Sequence, residues 1–153
     1  MISIIELLSP ECIKLDLTEK RKKRVIAELT GLLETAGKVH DGNALAEKII
    51  EREAIASTGI GHGIAIPHCL TNLVDQTVMA FGRCPAGIPF DAADNKPALL
   101  IFLLAGPQAA TGEHLKLLSR LSRLLTEKVF RDRLLAVKTP AELIDLFREG
   151  EEL

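Results

Sequence analysis

The sequence predicts a single-domain α/β protein, an α/β/α sandwich around a mixed β-sheet. Segments with helical spacing of apolar residues alternate along the chain with short apolar strands. The 153 residues suit one domain with a substantial core, and no internal repeat, low-complexity tract or interdomain linker divides them. We therefore expect residues 1–153 to form one folding unit.

Composition and charge narrow the function classes. The 19 Lys+Arg residues are balanced by 21 Asp+Glu, and Trp and Tyr are absent, so no nucleic acid is expected as a partner. The longest apolar run, residues 98–106, is about half a membrane helix, which predicts a buried strand and no membrane insertion. Three widely spaced Cys residues and a start without a signal-peptide pattern predict a cytoplasmic protein without a disulfide framework.

The first elements are a strand and two helices. Alternating apolar residues over 12–17 predict a half-buried strand. Thr18 at a capping position, an apolar stripe behind it and Gly37 after it predict a helix over 18–36. A second apolar stripe predicts a helix over 43–53.

Five consecutive basic residues, 20–24, open the first of these helices. They are interpreted either as a solvated helix face or as an anionic docking patch. Their position at the N-terminal end opposes the helix dipole, which is a mild local cost.

Short strands are predicted in the middle of the chain. Residues 64–66, 77–82 and 98–105 are apolar and follow or precede turn residues. Glycine-rich residues 57–63 exclude a regular helix there, and residues 85–97 are interpreted as a turn-rich connection.

Three helices are predicted in the C-terminal third. Apolar stripes indicate one helix from near Gly112 to Leu125 and another around 129–135. Thr139 and Pro140 have the residue types of an N-cap and a first-turn proline, so a last helix begins there.

His68 is the candidate nucleophile. It follows an apolar strand and Pro67, whose ring restrains the backbone that enters it. Gly59, Gly61 and Gly63 precede it and let another group approach the backbone closely. An imidazole presented there is largely neutral at pH 7 and can attack an electrophile.

Two further residues point to an anion. His114 lies in the first turn of the helix that begins near Gly112, where free N–H groups and the helix dipole favour negative charge. Arg52 ends the second helix, and its guanidinium can grip phosphate in a fork. With His68, they form a candidate phosphoryl-binding site, and the alternative interpretation of each His is a structural role.

A metal hydrolase is the competing interpretation. His62, His68 and His114 with Cys69 would be the ligands. The spacing of His62 and His68 is not usual for zinc, and no carboxylate base lies beside them, so neither metal nor cofactor is expected.

Several segments resemble the enzyme IIA domains of the bacterial phosphotransferase system, mannitol/fructose type. They are Arg52-Glu53 with STGIGHGIAIPH at 57–68, GIPFDAADNKPALLIFLLAG at 87–106 and EHLKLLSRLSRLL at 113–125. The resemblance covers nearly the whole chain. Residues 90–97 resemble the nitrogen-regulatory branch more than the sugar-specific members.

The resemblance implies a role for each site residue. His68 would accept the phosphoryl group, His114 would line the site and stabilise the phosphate, and Arg52 would supply charge. Attack by Nε2, with the Nδ1–H held by a backbone carbonyl, is also implied. Thr58 would either donate its hydroxyl to the site or serve the turn.

The resemblance also implies partners. A phosphohistidine carrier protein would donate the phosphate, and a nitrogen or metabolic regulator would act on targets such as a potassium transporter or a sensor kinase. The alternative is a fructose- or mannitol-specific enzyme IIA that passes phosphate to an enzyme IIB during sugar uptake.

Two positions depart from the family pattern. Cys69 and Leu70 follow the nucleophile where many relatives have a small residue and then a basic one. Cys69 is interpreted as a packing residue or as a redox-sensitive switch. His62, at a position where relatives vary, is expected to form loop hydrogen bonds rather than to take part in the chemistry.

Overall fold

A computed structural model describes residues 2–152 and shows a mixed six-stranded sheet between helical layers. The strands are β1 (Ile13–Lys14), β2 (Gly59–Gly61), β3 (Ile64–Ala65), β4 (His68–Leu70), β5 (Val78–Ile88) and β6 (Ala98–Gly106). The helices are α1 (Ile4–Leu7), α2 (Lys22–Thr35), α3 (Gly42–Ile55), α4 (Thr111–Leu125), α5 (Lys128–Ala136) and α6 (Pro140–Glu152). The predicted α/β/α sandwich around a mixed sheet is confirmed.

The sheet is built around β6. The strand order across the sheet is β1-β5-β6-β3-β2, and β4 also pairs with β6. β5 is antiparallel to β6, whereas β3 and β4 are parallel to it. Because β4 pairs with the end of β6, His68 lies opposite Leu104 near the C-terminal edge of the central strand.

Alternation along β6 separates two cores, since successive strand residues point to opposite faces. Ile101, Leu103 and Ala105 pack with α2 and α3. Leu100, Phe102 and Leu104 pack with α1, α4, α5 and α6. Both faces of the central strand are therefore buried, which explains its continuous apolar sequence.

The first long helix begins later than predicted. α2 starts at Lys22, and the side chain of its N-cap residue, Arg21, makes no capping hydrogen bond to the described helix. Thr18 is not the N-cap, because its N–H and hydroxyl donate to the carboxylate of Glu28 at 3.2 and 2.9 Å. The predicted end is confirmed, since Gly37 follows the helix with φ of +76°.

The strand boundaries also differ from prediction. β1 has two residues rather than six. β5 continues to Ile88, so residues 85–88 of the predicted turn-rich connection 85–97 are strand. The pairing of β5 with β6 shifts register between Arg83 and Ile88, so the strand continues past this irregularity. The spacing of apolar residues in the sequence does not reveal such a shift. The short β4 at His68 was not predicted.

No helix within residues 2–152 is long and apolar enough to cross a membrane.

Candidate functional site

His68 opens β4 with a half-buried imidazole. Its Nδ1 lies 2.6 Å from the carbonyl oxygen of Ile66. Because a carbonyl only accepts hydrogen bonds, Nδ1 carries the proton and Nε2 keeps its lone pair. Burial is the main cause that lowers the pKa of His68 below its ordinary value, so the ring is neutral at pH 7.

His114 is the fourth residue of α4 and is 4% exposed. Its ring centre lies 5.4 Å from that of His68, with the two planes tilted by 50°. Among the described residues, neither of its ring nitrogens has a hydrogen-bond partner. Burial, helped by the charge that His68 can carry, lowers the pKa of His114 to about 4.

These properties make His114 suited to a ligand anion. A neutral imidazole always keeps one N–H donor, and a buried donor without a partner costs about 1–3 kcal/mol. An oxygen of a phosphoryl group on His68 would satisfy that donor, which no described protein group does.

Arg52 lies in the last turn of α3 and is partly exposed. One guanidinium N–H donates to the carbonyl of Ala56 at 3.0 Å. Burial is the largest cause that lowers the pKa of His68, and the positive charge of Arg52 lowers it further. The structure thus places His68 and His114 side by side, whereas Arg52 is connected with His68 only through its charge.

The glycines shape the approach to His68. Gly61 and Gly63 adopt φ of +91° and +80°, and residues 59–61 and 64–65 form the short antiparallel pair of β2 and β3. At Gly59, a Cβ would lie 3.0 Å from the Cβ of Ala92. The three glycines therefore allow a tight hairpin and a close backbone contact with the segment at Ala92.

His62 lies at the exposed tip of that hairpin with φ of 57°. Its backbone N–H donates to Asp94 at 3.0 Å, which agrees with a loop hydrogen-bonding residue. Within residues 2–152, His62, His68, His114 and Cys69 do not assemble into a group of metal ligands.

Glu53 and Lys22 are parts of the neighbourhood that sequence reasoning missed. Glu53 is 7% exposed and accepts both the N–H and the hydroxyl of Thr58. The hydroxyl of Thr58 is thus bonded to Glu53 and not directed at His68. Lys22 lies 2.5 Å from the Glu53 carboxylate, so this member of the basic run is neither a solvated residue nor a free docking cation.

Cys69 is 8% exposed and packs in the core shared with α2 and α3. Burial raises the pKa of its thiol to about 11. Since the thiolate is the reactive form, these features favour the packing interpretation over the redox switch.

Comparison with known proteins agrees with this geometry. The family model described as phosphoenolpyruvate-dependent sugar phosphotransferase system, EIIA 2, matches residues 6–150. The fructose-specific EIIA component of Haloferax volcanii is 38% identical over 99% of both chains. The fructose-specific EIIABC component of Bacillus subtilis is 40% identical over 99% of this chain, which spans 24% of the length of that relative.

A solved structure gives the same result. The crystal structure of nitrogen regulatory protein IIA-Ntr from Neisseria meningitidis has a TM-score of 0.88 and 38% identity, covering 94% of this chain and 98% of that one. The chain therefore belongs to the EIIA type 2 family of the phosphoenolpyruvate-dependent sugar phosphotransferase system.

Proposed function

We propose that the protein is a phosphoryl carrier and that Nε2 of His68 accepts the phosphoryl group from a phosphohistidine carrier protein. The observation that carries this proposal is the pairing of two neutral imidazoles. The Nδ1–H of one is held by Ile66, and the other is buried without a hydrogen-bond partner among residues 2–152. Membership of the EIIA type 2 family supports the same role.

The transfer is a displacement between two imidazoles. The Nε2 lone pair of His68 forms the new P–N bond while the P–N bond of the donor breaks and its electron pair returns to the donor ring. Nδ1 of His68 keeps its proton, so the phosphorylated ring is an imidazolium whose N–H donates to Ile66. Catalysis is then alignment plus stabilisation of the phosphoryl oxygens.

His114 and Arg52 supply that stabilisation. An N–H of His114 donates to one phosphoryl oxygen, and the guanidinium of Arg52 offsets negative charge nearby. No metal or cofactor is required, because the phosphoryl group arrives on a protein and not on a magnesium nucleotide.

The test is a phosphorylation assay. Phosphoenolpyruvate, the upstream phosphotransferase and its phosphohistidine carrier should place acid-labile phosphate on the wild-type chain and none on His68→Ala. Gly31→Ala is the control and should be labelled normally, because in the described part of the chain no atom beyond the neighbouring backbone of α2 lies within 4 Å of the added methyl. Label on His68→Ala at the wild-type rate would reject the assignment.

We further propose a regulatory role in nitrogen or general metabolism, in which the phosphorylated and free forms differ in affinity for targets such as a potassium transporter or a sensor kinase. Similarity to IIA-Ntr supports it.

The free buried cysteines are compatible with a cytoplasmic location.

The second candidate is a sugar-specific carrier, favoured by the two fructose-specific relatives. The discriminating measurement offers labelled protein to a fructose-type enzyme IIB. Loss of label to that acceptor supports sugar uptake. Retention of label, with target capture that depends on the state of His68, supports regulation.

A further inference from the structure

A chain of hydrogen bonds connects a buried carboxylate to the candidate nucleophile. The Glu53 side chain is 4% exposed and accepts the Thr58 N–H at 3.0 and 3.1 Å as well as the Thr58 hydroxyl. The carbonyl of Thr58 accepts the N–H of Ile66 at 3.1 Å. The carbonyl of Ile66 in turn accepts the Nδ1–H of His68 at 2.6 Å.

Lys22 completes this arrangement from the start of α2. Its ammonium lies 2.5 Å from Glu53, donates to the carbonyl of Phe90 at 3.3 Å and lies 5.1 Å from the Phe90 ring centre. The ammonium is also 3.7 Å from the exposed carboxylate of Asp91. A carboxylate buried to this degree needs such a partner, because breaking a buried ion pair leaves an uncompensated charge.

We propose that Lys22, Glu53 and Thr58 form a positioning clamp that fixes the Ile66 carbonyl and thereby the tautomer and aim of the His68 ring. The clamp rests on the proposed function of His68, whose Nε2 must face the donor phosphorus. Groups that orient a reactive ligand from behind commonly matter to its activity, as they do for histidines that bind metals. None of the three residues would touch the phosphoryl group.

The carboxylate also acts through its charge. The negative charge of Glu53 raises the pKa of His68, whereas the charge of Arg52 lowers it. The Glu53 carboxylate would stabilise the positive ring that phosphorylation creates, whereas Arg52 would offset the negative charge of the phosphoryl oxygens. Adjacent residues at the end of α3 therefore act on one ring in opposite directions.

The chain contains a matched control. Glu28 forms a second clamp of the same chemistry, with Lys14 at 2.6 Å and with the N–H and hydroxyl of Thr18 at 3.2 and 2.9 Å. It joins α2 to the segment after β1 and makes no bond to the residues that hold His68. Glu53→Gln and Glu28→Gln thus remove the same interaction from two places.

The first experiment measures phosphoryl acceptance from the carrier protein. Glu53→Gln should lower kcat by about 10- to 100-fold, the scale expected for a misplaced reacting group, with KM for the carrier unchanged. Glu28→Gln should keep the wild-type kcat. Equal losses in the two variants would show a general effect of instability and overturn the proposal.

The second experiment needs no phosphate. Nitrogen NMR of ring-labelled protein should show the Nδ1–H tautomer of His68 in the wild type. In Glu53→Gln it should show a mixture of tautomers and a lower His68 pKa, and in Glu28→Gln no change. An unchanged His68 signal in Glu53→Gln would contradict the clamp, whereas a wild type that takes no label would reject only the proposed function.

A milder pair of variants keeps the test decisive where Glu53→Gln does not fold. Thr58→Ser retains the hydroxyl and should keep the wild-type kcat and tautomer. Thr58→Val removes it and should shift both in the direction given for Glu53→Gln. Identical behaviour of the Ser and Val variants would rule out a positioning role for the Thr58 hydroxyl and with it the clamp.

Discussion

The imidazole of His114 lies 5.4 Å, centre to centre, from that of His68, and it has no hydrogen-bond partner in the described part of the chain although it is buried. The two rings come from different elements, β4 and the first turns of α4. They meet because β4 pairs with the end of β6, from which the chain leads through a short turn into α4. This unsatisfied buried donor beside the proposed nucleophile is the feature on which the proposed anion site rests.

Removing His114 should separate acceptance of phosphate from its transfer. We expect His114→Ala to reach full labelling of His68 when phosphoenolpyruvate is in excess, because the nucleophile is intact. Transfer onward should fall by about 100-fold or more, the usual loss when one donor to a developing charge is removed. Rapid-quench measurement of both steps tests this, and wild-type rates in both directions would remove His114 from the mechanism.

The low pKa of His114 should make stability depend on pH. The unfolded imidazole takes up a proton near pH 6.5, but the folded one does so only near pH 4. The unfolded state therefore binds more protons between these values, and the free energy of unfolding should fall by about 3 kcal/mol as pH drops from 6.5 to 4.

A variant isolates this effect from the other titrating groups. His114→Gln should lack the part of the fall in unfolding free energy that is due to this imidazole. The plots of stability against pH for the wild type and the variant should therefore differ most in slope between pH 6.5 and 4. Urea unfolding at several pH values measures both curves. Parallel curves would contradict a depressed pKa at position 114.

The sequence predicted the residues of the candidate site, but it did not predict the buried ion pair and hydrogen bonds that hold them in place. His68, Arg52 and the glycines lie within 17 consecutive residues, 52–68, so local spacing suffices to group them. The Lys22–Glu53 pair joins residues 31 positions apart, and the sequence shows only that each is charged. The same holds for Thr18, which has the residue type of an N-cap but bonds to Glu28 because the chain turns back over α2.

Arg83 is a buried cation with a structural task that the sequence did not reveal. Its guanidinium donates to the carbonyls of Leu15, Leu134, Leu135 and Val137 at 2.7–3.2 Å. Three of these carbonyls lie at the C-terminal end of α5, where a cation is favoured by the helix dipole. The arginine therefore caps α5 and ties it to β5.

Replacing Arg83 should be costly for stability and not for chemistry. We expect Arg83→Met to lower the free energy of unfolding by about 3 kcal/mol, since buried carbonyls lose their charged donor. Arg133→Met removes an exposed pair with Glu149 and should change it by less than about 1 kcal/mol. Denaturant unfolding compares the two, and equal costs would show that the buried bonds contribute little.

Two glycine-to-alanine changes should have opposite effects. Gly31 lies inside α2, and among residues 2–152 no atom beyond the neighbouring helix backbone lies within 4 Å of an added Cβ. Gly31→Ala should therefore stabilise the protein by about 0.5–1 kcal/mol through helix propensity. At Gly59, the new methyl would press on the Cβ of Ala92 at 3.0 Å and on the carbonyl of Phe90 at 3.2 Å.

Gly59→Ala must therefore displace β2 from the segment at Phe90. The carbonyl of Phe90 also accepts a hydrogen bond from the ammonium of Lys22. We expect a loss of about 1–3 kcal/mol, the usual cost of overpacking, together with slower labelling of His68. Thermal unfolding and the phosphorylation assay measure the two effects. If Gly59→Ala is destabilised but His68 is labelled at the normal rate, the close contact at residue 59 stabilises the fold alone. The positioning clamp would then tolerate a displacement of the β2–β3 hairpin.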